Sequence, residues 1–269
     1  MDIIMSSFFQ RALIGGMLIG ITAPLMGIFL VLRRLSMIGD TLSHAAIAGV
    51  ALGFVVGDFP ILFGLIFALL ASFAIEKLRK SYKSYAELSL AIIMSGGIAL
   101  ASIFFTLGRD LSMDANSFLF GFIYTLTPID LWTMFGVTLA VLLIVGKHLH
   151  GLFLITFDEE AASVSGMPVS YYNVLISVLT ALVISISIKI VGGLLVSALL
   201  TIPAACSLLL AKSFKQSIFI VVLVGELAVV CGLLIAGVWN LAAGGTIVLV
   251  LIAFLLLILL GRNIFSRIA

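Results

Sequence analysis

An acidic residue and a histidine stand four positions apart near the start of an apolar run, within the stretch Gly39–Gly49. They are Asp40 and His44, and four residues is about one helical turn, so on a helix both side chains lie on one face. Carboxylate and imidazole groups are ligands for divalent metal ions, and ionisable groups inside a membrane are costly to keep without a use. We therefore predict that Asp40 and His44 contact a metal ion. The other interpretation is a structural pair in which each side chain satisfies the other.

Two hydroxyl side chains, Thr41 and Ser43, flank this pair. They can add oxygen ligands, or they can hydrogen-bond to the helix backbone, as Ser and Thr often do. A further carboxylate, Glu226, lies in the middle of a later apolar segment, either in the ion path or bonded to a neighbouring helix. Because a conduit must release its ion, we expect two protein ligands plus water in preference to a closed four-ligand site.

The composition is that of a membrane protein. Of the 269 residues, 63% are hydrophobic and 10% charged, with a mean hydropathy of +1.38, whereas a soluble domain has about 25% charged residues. Apolar runs of the length that crosses about 30 Å of hydrocarbon as a helix recur along the chain. The nine apolar segments are 9–32, 41–57, 60–76, 87–107, 129–146, 171–190, 192–211, 217–237 and 243–261.

These segments predict an all-α polytopic membrane protein with a single transmembrane domain over residues 1–269. Eight or nine helices are expected to span, depending on whether segments 41–57 and 60–76 both cross fully. Continuous apolar runs argue against a β-barrel, whose strands alternate in hydrophobicity.

Basic residues lie mainly on one side of the predicted helices. Of the 14 Lys and Arg residues, all but Arg11, Arg109 and Lys189 fall in one set of alternate loops or at the C-terminal end. The positive-inside rule then places the N-terminus outside and the C-terminus inside, with an odd number of crossings. The net charge of +2 gives no reason to expect a nucleic-acid partner.

Glycines repeat every four residues along the second segment, at Gly49, Gly53 and Gly57. This small-xxx-small pattern lets a neighbouring helix approach closely. We therefore expect tight packing on that face, with Asp40 and His44 presented on another. Pro24 and Pro203 fall inside apolar segments and are expected to kink or break the helix.

A short internal segment, about 156–168, carries a helix start signal at one end and a helix stop signal at the other. Thr156 with Glu159 fits a capping box, and Gly166 suits a left-handed C-terminal cap. The acidic run Asp158–Glu160 suits the positive end of the helix dipole. The segment is predicted to be a short helix on the inner surface, either a handle for a partner protein or an ordinary amphipathic surface helix.

The chain resembles the permease subunit of bacterial ABC importers for divalent metals, the zinc and manganese family. The resemblance covers nearly the whole chain in the expected order. The stretches that carry it are Leu32–Ala45 with Gly49–Gly53, Thr156–Pro168, Val191–Ala205 and Asn240–Leu249. The chain departs from the pattern at Asn240–Gly245, where many relatives have Asp-x-Pro-x-Gly, so a polar role of that segment is in doubt.

This resemblance implies a multi-pass protein of the bacterial plasma membrane that pairs with a second permease copy among membrane lipid. It implies a cytoplasmic ABC ATPase as partner and an extracellular metal-binding protein that delivers the ion. It assigns Asp40 and His44 to the translocation path. The residues it assigns to ATPase docking are Phe157, Asp158, Glu159, Glu160 and Gly166.

The cargo implied is a divalent metal, with no permanently bound cofactor. Tyr85–Ser95 and Arg33–Met37 look closest to the zinc importers of Gram-positive bacteria, so Zn²⁺ is the expected ion. Manganese or iron is the alternative, because a carboxylate with an imidazole also suits those metals.

Two other classes of protein compete with this interpretation. A secondary transporter or channel would work alone, but the paired half-repeats common in that class are not evident. An intramembrane hydrolase is disfavoured by the lack of His-Glu-x-x-His and Gly-x-Ser-x-Gly motifs. The sequence also has no Gly-x-x-x-x-Gly-Lys-Ser/Thr loop, so the chain is predicted to be a transport subunit, with ATP hydrolysed by a partner.

Overall fold

The computed structural model describes residues 6–57, 59–82, 85–108, 119–121 and 126–268, and within these ranges the chain forms ten helices and no strand. The first five long helices are α1 (Ser7–Leu32), α2 (Met37–Val56), α3 (Pro60–Ser81), α4 (Ala86–Leu107) and α5 (Pro128–Phe157). The remainder are α6 (Glu159–Val164), α7 (Val169–Val191), α8 (Val196–Leu210), α9 (Phe214–Trp239) and α10 (Ala243–Ile268).

Eight of the described helices are long and apolar enough to cross a membrane. The exceptions are α6, which has six residues, and α8, which has 15. At about 1.5 Å per residue, α8 is roughly 22 Å long, so it is shorter than the hydrocarbon layer. The prediction of an all-α protein with eight or nine spanning helices is confirmed. The predicted segments 41–57 and 60–76 both form helices, α2 and α3, that are long enough to cross a membrane.

Two ion pairs join helix ends that are far apart in sequence. Arg33, just after α1, pairs with Glu159 at the start of α6 at 2.9 Å. Lys189, near the end of α7, pairs with Asp130 near the start of α5 at 2.7 Å. The two pairs therefore lie at opposite ends of α5, as the predicted alternation of loops requires. We refer to the end with Arg33 and α6 as the α6 end of the molecule.

Prolines begin two helices and lie within two others. Pro60 and Pro128 occupy the first turns of α3 and α5, where the missing N–H leaves no bond unmade. Pro24 and Pro203 lie inside α1 and α8, and both helices continue through them. A break at either proline, one of the two expected outcomes, does not occur.

The α2–α3 hairpin depends on the glycine repeat. A Cβ atom built at Gly49 would overlap the Phe63 carbonyl, and one built at Gly53 would lie 2.6 Å from the Pro60 Cα. Gly57 differs from the prediction, because a Cβ there would meet nothing within 4 Å. Its φ of 90° instead makes it the left-handed residue that ends α2.

Candidate functional site

The first four turns of α2 leave a single stripe of side chains uncovered. Between Met37 and Ala51, all residues are buried except Met37, Asp40 and His44. These three residues follow the three- and four-residue spacing of one helix face. We call them the α2 stripe. Asp40 lies in the first turn of α2, where the helix dipole stabilises a carboxylate.

Neighbouring helices cover the other faces of α2. The glycine repeat packs on α3, and Gly39 approaches α8, where its Cβ would lie 2.9 Å from Leu200 Cδ1. On α4, a Cβ at Gly97 would lie 3.0 Å from the backbone carbonyl carbon of His44. Close approach at these glycines packs α2 tightly and leaves Asp40 and His44 only partly covered.

No hydrogen bond joins the Asp40 side chain to His44 or to any other described residue. The interpretation of a mutually satisfied structural pair therefore finds no support in the described part of the chain. Among the described residues, no three His, Cys, Asp or Glu side chains lie close enough together to hold a metal ion. The geometry is that of two half-buried side chains on one helix face, without side-chain partners among the described residues.

The hydroxyl groups of Thr41 and Ser43 are engaged with backbone carbonyls. Ser43 Oγ donates to the Gly39 carbonyl at 2.8 Å, and Thr41 Oγ1 donates to the Met37 carbonyl at 2.9 Å. Both residues are buried. The arrangement favours the backbone interpretation of these residues over direct contact with an ion.

Glu226 lies on α9 at the interface with α1, apart from the α2 stripe. Its Oε2 atom is buried without a hydrogen-bond partner in the described structure, and a Cβ built on Gly20 of α1 would lie 2.5 Å from it. Pro24 has no N–H to give the Gly20 carbonyl four residues earlier. That carbonyl faces α9, because a Cβ on Gly225 would lie 2.9 Å from its oxygen. The Glu226 side chain therefore lies beside a backbone carbonyl that lacks its usual helical donor.

We expect Glu226→Gln to keep metal uptake within about twofold of the unmodified protein, because an amide has nearly the same shape and can donate to a nearby carbonyl such as that of Gly20. Glu226→Leu, which cannot donate, is expected to lower the free energy of unfolding by about 1–3 kcal/mol. Thermal unfolding in detergent and uptake in vesicles measure the two effects. Loss of uptake by Glu226→Gln at normal stability would instead put Glu226 in the ion path.

The segment predicted at 156–168 does form a helix, but it begins later than expected. Thr156 belongs to the last turn of α5, where its hydroxyl donates to the Leu152 carbonyl at 2.6 Å. The cap of α6 is Asp158, which accepts from the Ala161 N–H at 2.8 Å. The Thr156–Glu159 capping box is therefore wrong, because α5 extends through the residues that were to start the helix.

The far end of α6 closes as predicted at Gly166. This residue has a φ of 79°, and the N–H of Met167 reaches back to the Ala162 carbonyl at 3.1 Å. Ala162 is buried within α6, whereas the exposed residues at and just before the start of the helix are Phe157, Asp158, Glu159 and Glu160. Val164 is 90% exposed, so α6 presents an apolar side chain to whatever lies beyond this end of the molecule.

Glu159, unlike Glu160, is hydrogen-bonded to the body of the protein, although its side chain is 47% exposed. It accepts from Arg33 Nη2 at 2.9 Å and from Asn173 Nδ2 at 3.1 Å. Burial alone would raise the pKa of the Glu159 carboxyl, but the Asn173 hydrogen bond and the Arg33 charge outweigh it and lower the pKa below its usual value. No local pattern in the sequence pairs Arg33 with Glu159 or Asn173, since these partners lie 126 and 140 positions from Arg33.

Comparisons with known proteins give one consistent family. The model described as the ABC 3 transport family matches residues 5–262. The chain is 36% identical over 242 residues to the manganese import system permease protein ScaB of Streptococcus gordonii, covering 90% of this chain and 87% of that protein. It is 32% identical over 253 residues to a probable metal transport system membrane protein of Treponema pallidum, covering 94% and 95%.

A solved structure agrees with these relatives. PsaBC from Streptococcus pneumoniae in complex with Fab matches with a TM-score of 0.86 and 35% identity, over 96% of this chain and 93% of that chain. ScaB is named for manganese and the Treponema protein for metal in general. The expectation of zinc is not supported by these names, and the manganese alternative fits them better. The chain belongs to the ABC 3 transport family and is a multi-pass membrane permease of the metal ABC importer class.

Proposed function

We propose that this protein forms the membrane path of an ATP-driven importer whose cargo is Mn²⁺. The observation that carries the proposal is the accessible stripe on α2, where Asp40 and His44 lie side by side without other partners among the described residues. A passing divalent ion needs a counter-charge inside the membrane, and it needs contacts weak enough to release it. One carboxylate and one imidazole meet both needs.

Manganese is favoured over zinc by ligand chemistry together with the relatives' names. A hard carboxylate oxygen suits Mn²⁺, whereas tight zinc sites favour thiolate and several imidazoles. The two cysteines, Cys206 and Cys231, lie on α8 and α9 and not on the α2 face that carries Asp40 and His44. Water or a second copy of the chain would supply the remaining coordination positions.

The proposal includes three protein partners. An ABC ATPase would bind at the α6 end and hydrolyse ATP, since this chain has no phosphate-binding loop of its own. A metal-binding protein outside the cell would deliver the ion at the other end. A second permease copy would face the first across the path, within the lipid bilayer.

The test uses the permease assembled with its ATPase in liposomes. Uptake of Mn²⁺, Zn²⁺ and Fe²⁺ is followed in parallel, with and without ATP. ATP-dependent uptake that prefers Mn²⁺ supports the proposal, whereas a preference for Zn²⁺ would return the cargo to zinc. Metal flux without ATP or without the ATPase would identify a secondary transporter or channel and reject the importer.

Docking of the ATPase on α6 gives a second prediction. Burying a valine side chain contributes about 1.5–3 kcal/mol, and about 1.4 kcal/mol corresponds to a tenfold change in affinity. We expect Val164→Ser to weaken binding of the ATPase by about tenfold or more, as measured with the purified subunits in detergent.

The matched control is Val238→Ser, the same change at a 61% exposed valine near the far end of α9. It should leave the affinity for the ATPase unchanged. Equal binding by both variants and the unmodified protein would remove α6 from the docking surface.

A further inference from the structure

Three side chains from separate segments form a closed hydrogen-bonded junction at the α6 end. Arg33 Nη2 donates to Glu159 Oε2 at 2.9 Å and to Asn173 Oδ1 at 2.7 Å. Asn173 Nδ2 donates to the other carboxylate oxygen, Glu159 Oε1, at 3.1 Å. Each residue of this Arg33 junction therefore contacts both of the others.

The junction ties the docking helix to the body of the protein. Glu159 is the first residue of α6 and Asn173 belongs to the first two turns of α7. The Arg33 side chain is 4% exposed and that of Glu159 is 47% exposed. A buried guanidinium that lost its carboxylate would stay charged and unpaired, which is unfavourable. The start of α6 and Arg33 are therefore expected to move together.

Arg33 also stands directly before the α2 stripe. It ends α1, and the next residue, Arg34, turns the chain with a φ of 58°. The N–H of Leu35 bonds back to the Leu30 carbonyl at 2.8 Å, so the turn is short and internally bonded. The helix that carries Asp40 then begins at Met37. A displacement of Arg33 is thus passed along a short, bonded turn to the first turn of α2.

We propose that Arg33 is the positioning residue that transmits movement of α6 to Asp40 and His44 through the turn between α1 and α2. This inference rests on the proposed function, in which the ATPase moves α6. Arg33 does not contact the ion in this scheme. Its role is to make the position of the ion ligands depend on the position of the docking helix.

The test measures ATP hydrolysis and Mn²⁺ uptake on the same liposomes that hold the assembled complex. In Arg33→Gln, we expect ATP hydrolysis to stay within about twofold while uptake falls at least tenfold. The ratio of ATP hydrolysed to metal transported should therefore rise at least fivefold. The matched control, Arg34→Gln, changes an exposed neighbouring arginine and should leave the ratio unchanged.

A second variant covers the case in which Arg33→Gln fails to assemble. Glu159→Gln leaves Arg33 in place without a counter-charge and should raise the same ratio. Since both changes break one network, the double variant should show about the same ratio as either single variant.

Other results would overturn the inference. One such result is an unchanged ratio of ATP hydrolysed to metal transported in both single variants. Another is a proportional fall of hydrolysis and uptake. Either result would mean that the junction is merely structural. Failure of the proposed function is recognised separately, because the unmodified complex would then show no ATP-dependent Mn²⁺ uptake.

Discussion

Asp40→Ala and His44→Ala are each expected to abolish metal uptake while the protein still reaches the membrane and binds its ATPase. Without the carboxylate, a divalent ion on the α2 stripe would face only a neutral imidazole. A charge inside a membrane costs about 3 kcal/mol when uncompensated, so the loss of Asp40 should slow uptake by about a hundredfold. Loss of His44 removes the one nitrogen ligand at the same place. The measurement is Mn²⁺ uptake by the assembled complex in liposomes.

Two further variants separate the role in the ion path from a structural role. Asp40→Asn keeps the shape of the side chain but removes its charge, and it should be almost as inactive as Asp40→Ala. Met37→Leu changes the third residue of the same stripe without changing charge or size greatly, and it should transport normally. Normal uptake by both alanine variants would remove the α2 stripe from the ion path.

Hydropathy predicts the membrane portion of each helix better than its ends. The fifth apolar segment was expected to stop at 146, yet α5 continues to Phe157. His148 packs on Tyr171 and Tyr172 with ring centroids 5.9 and 5.8 Å apart, and Gly151 fits against Tyr172. Contacts with α7 thus keep the helix ordered beyond the apolar run. This is why the predicted start of α6 at Thr156 was wrong.

The sequence predicts the residues of the α2 stripe because the pattern that identifies them lies within a few neighbouring positions. One turn of spacing and an apolar setting identify Asp40 and His44, and the glycine repeat predicts which face is covered. The Arg33 junction has no local signal. Its partner Asn173 lies 140 positions away, and only the folded arrangement of α1, α6 and α7 brings the three side chains together.

A lysine near the end of a membrane span can extend toward the membrane surface, but Lys189 forms a largely buried ion pair. Lys189 Nζ lies 2.7 Å from Asp130 Oδ2, and the two side chains are 14% and 10% exposed. The same oxygen accepts from the N–H and the hydroxyl of Thr127, at 2.8 and 2.7 Å, so it also closes the capping box of α5. The pair borders a cavity of about 660 Å³ with mostly apolar walls, including Phe54 and Leu182.

Lys189→Met should therefore be among the most destabilising single changes in the chain. Removing one partner of a buried pair leaves an uncompensated charge and costs about 3–5 kcal/mol, which thermal unfolding in detergent would register. Asp130→Asn combined with Lys189→Met removes both charges and should cost less than Lys189→Met alone. If the double variant instead loses the sum of the two single losses, the ion pair is not what stabilises this end of the molecule. Because the pair lies at the end of α5 opposite α6, binding of the ATPase should be unchanged in every variant that still folds.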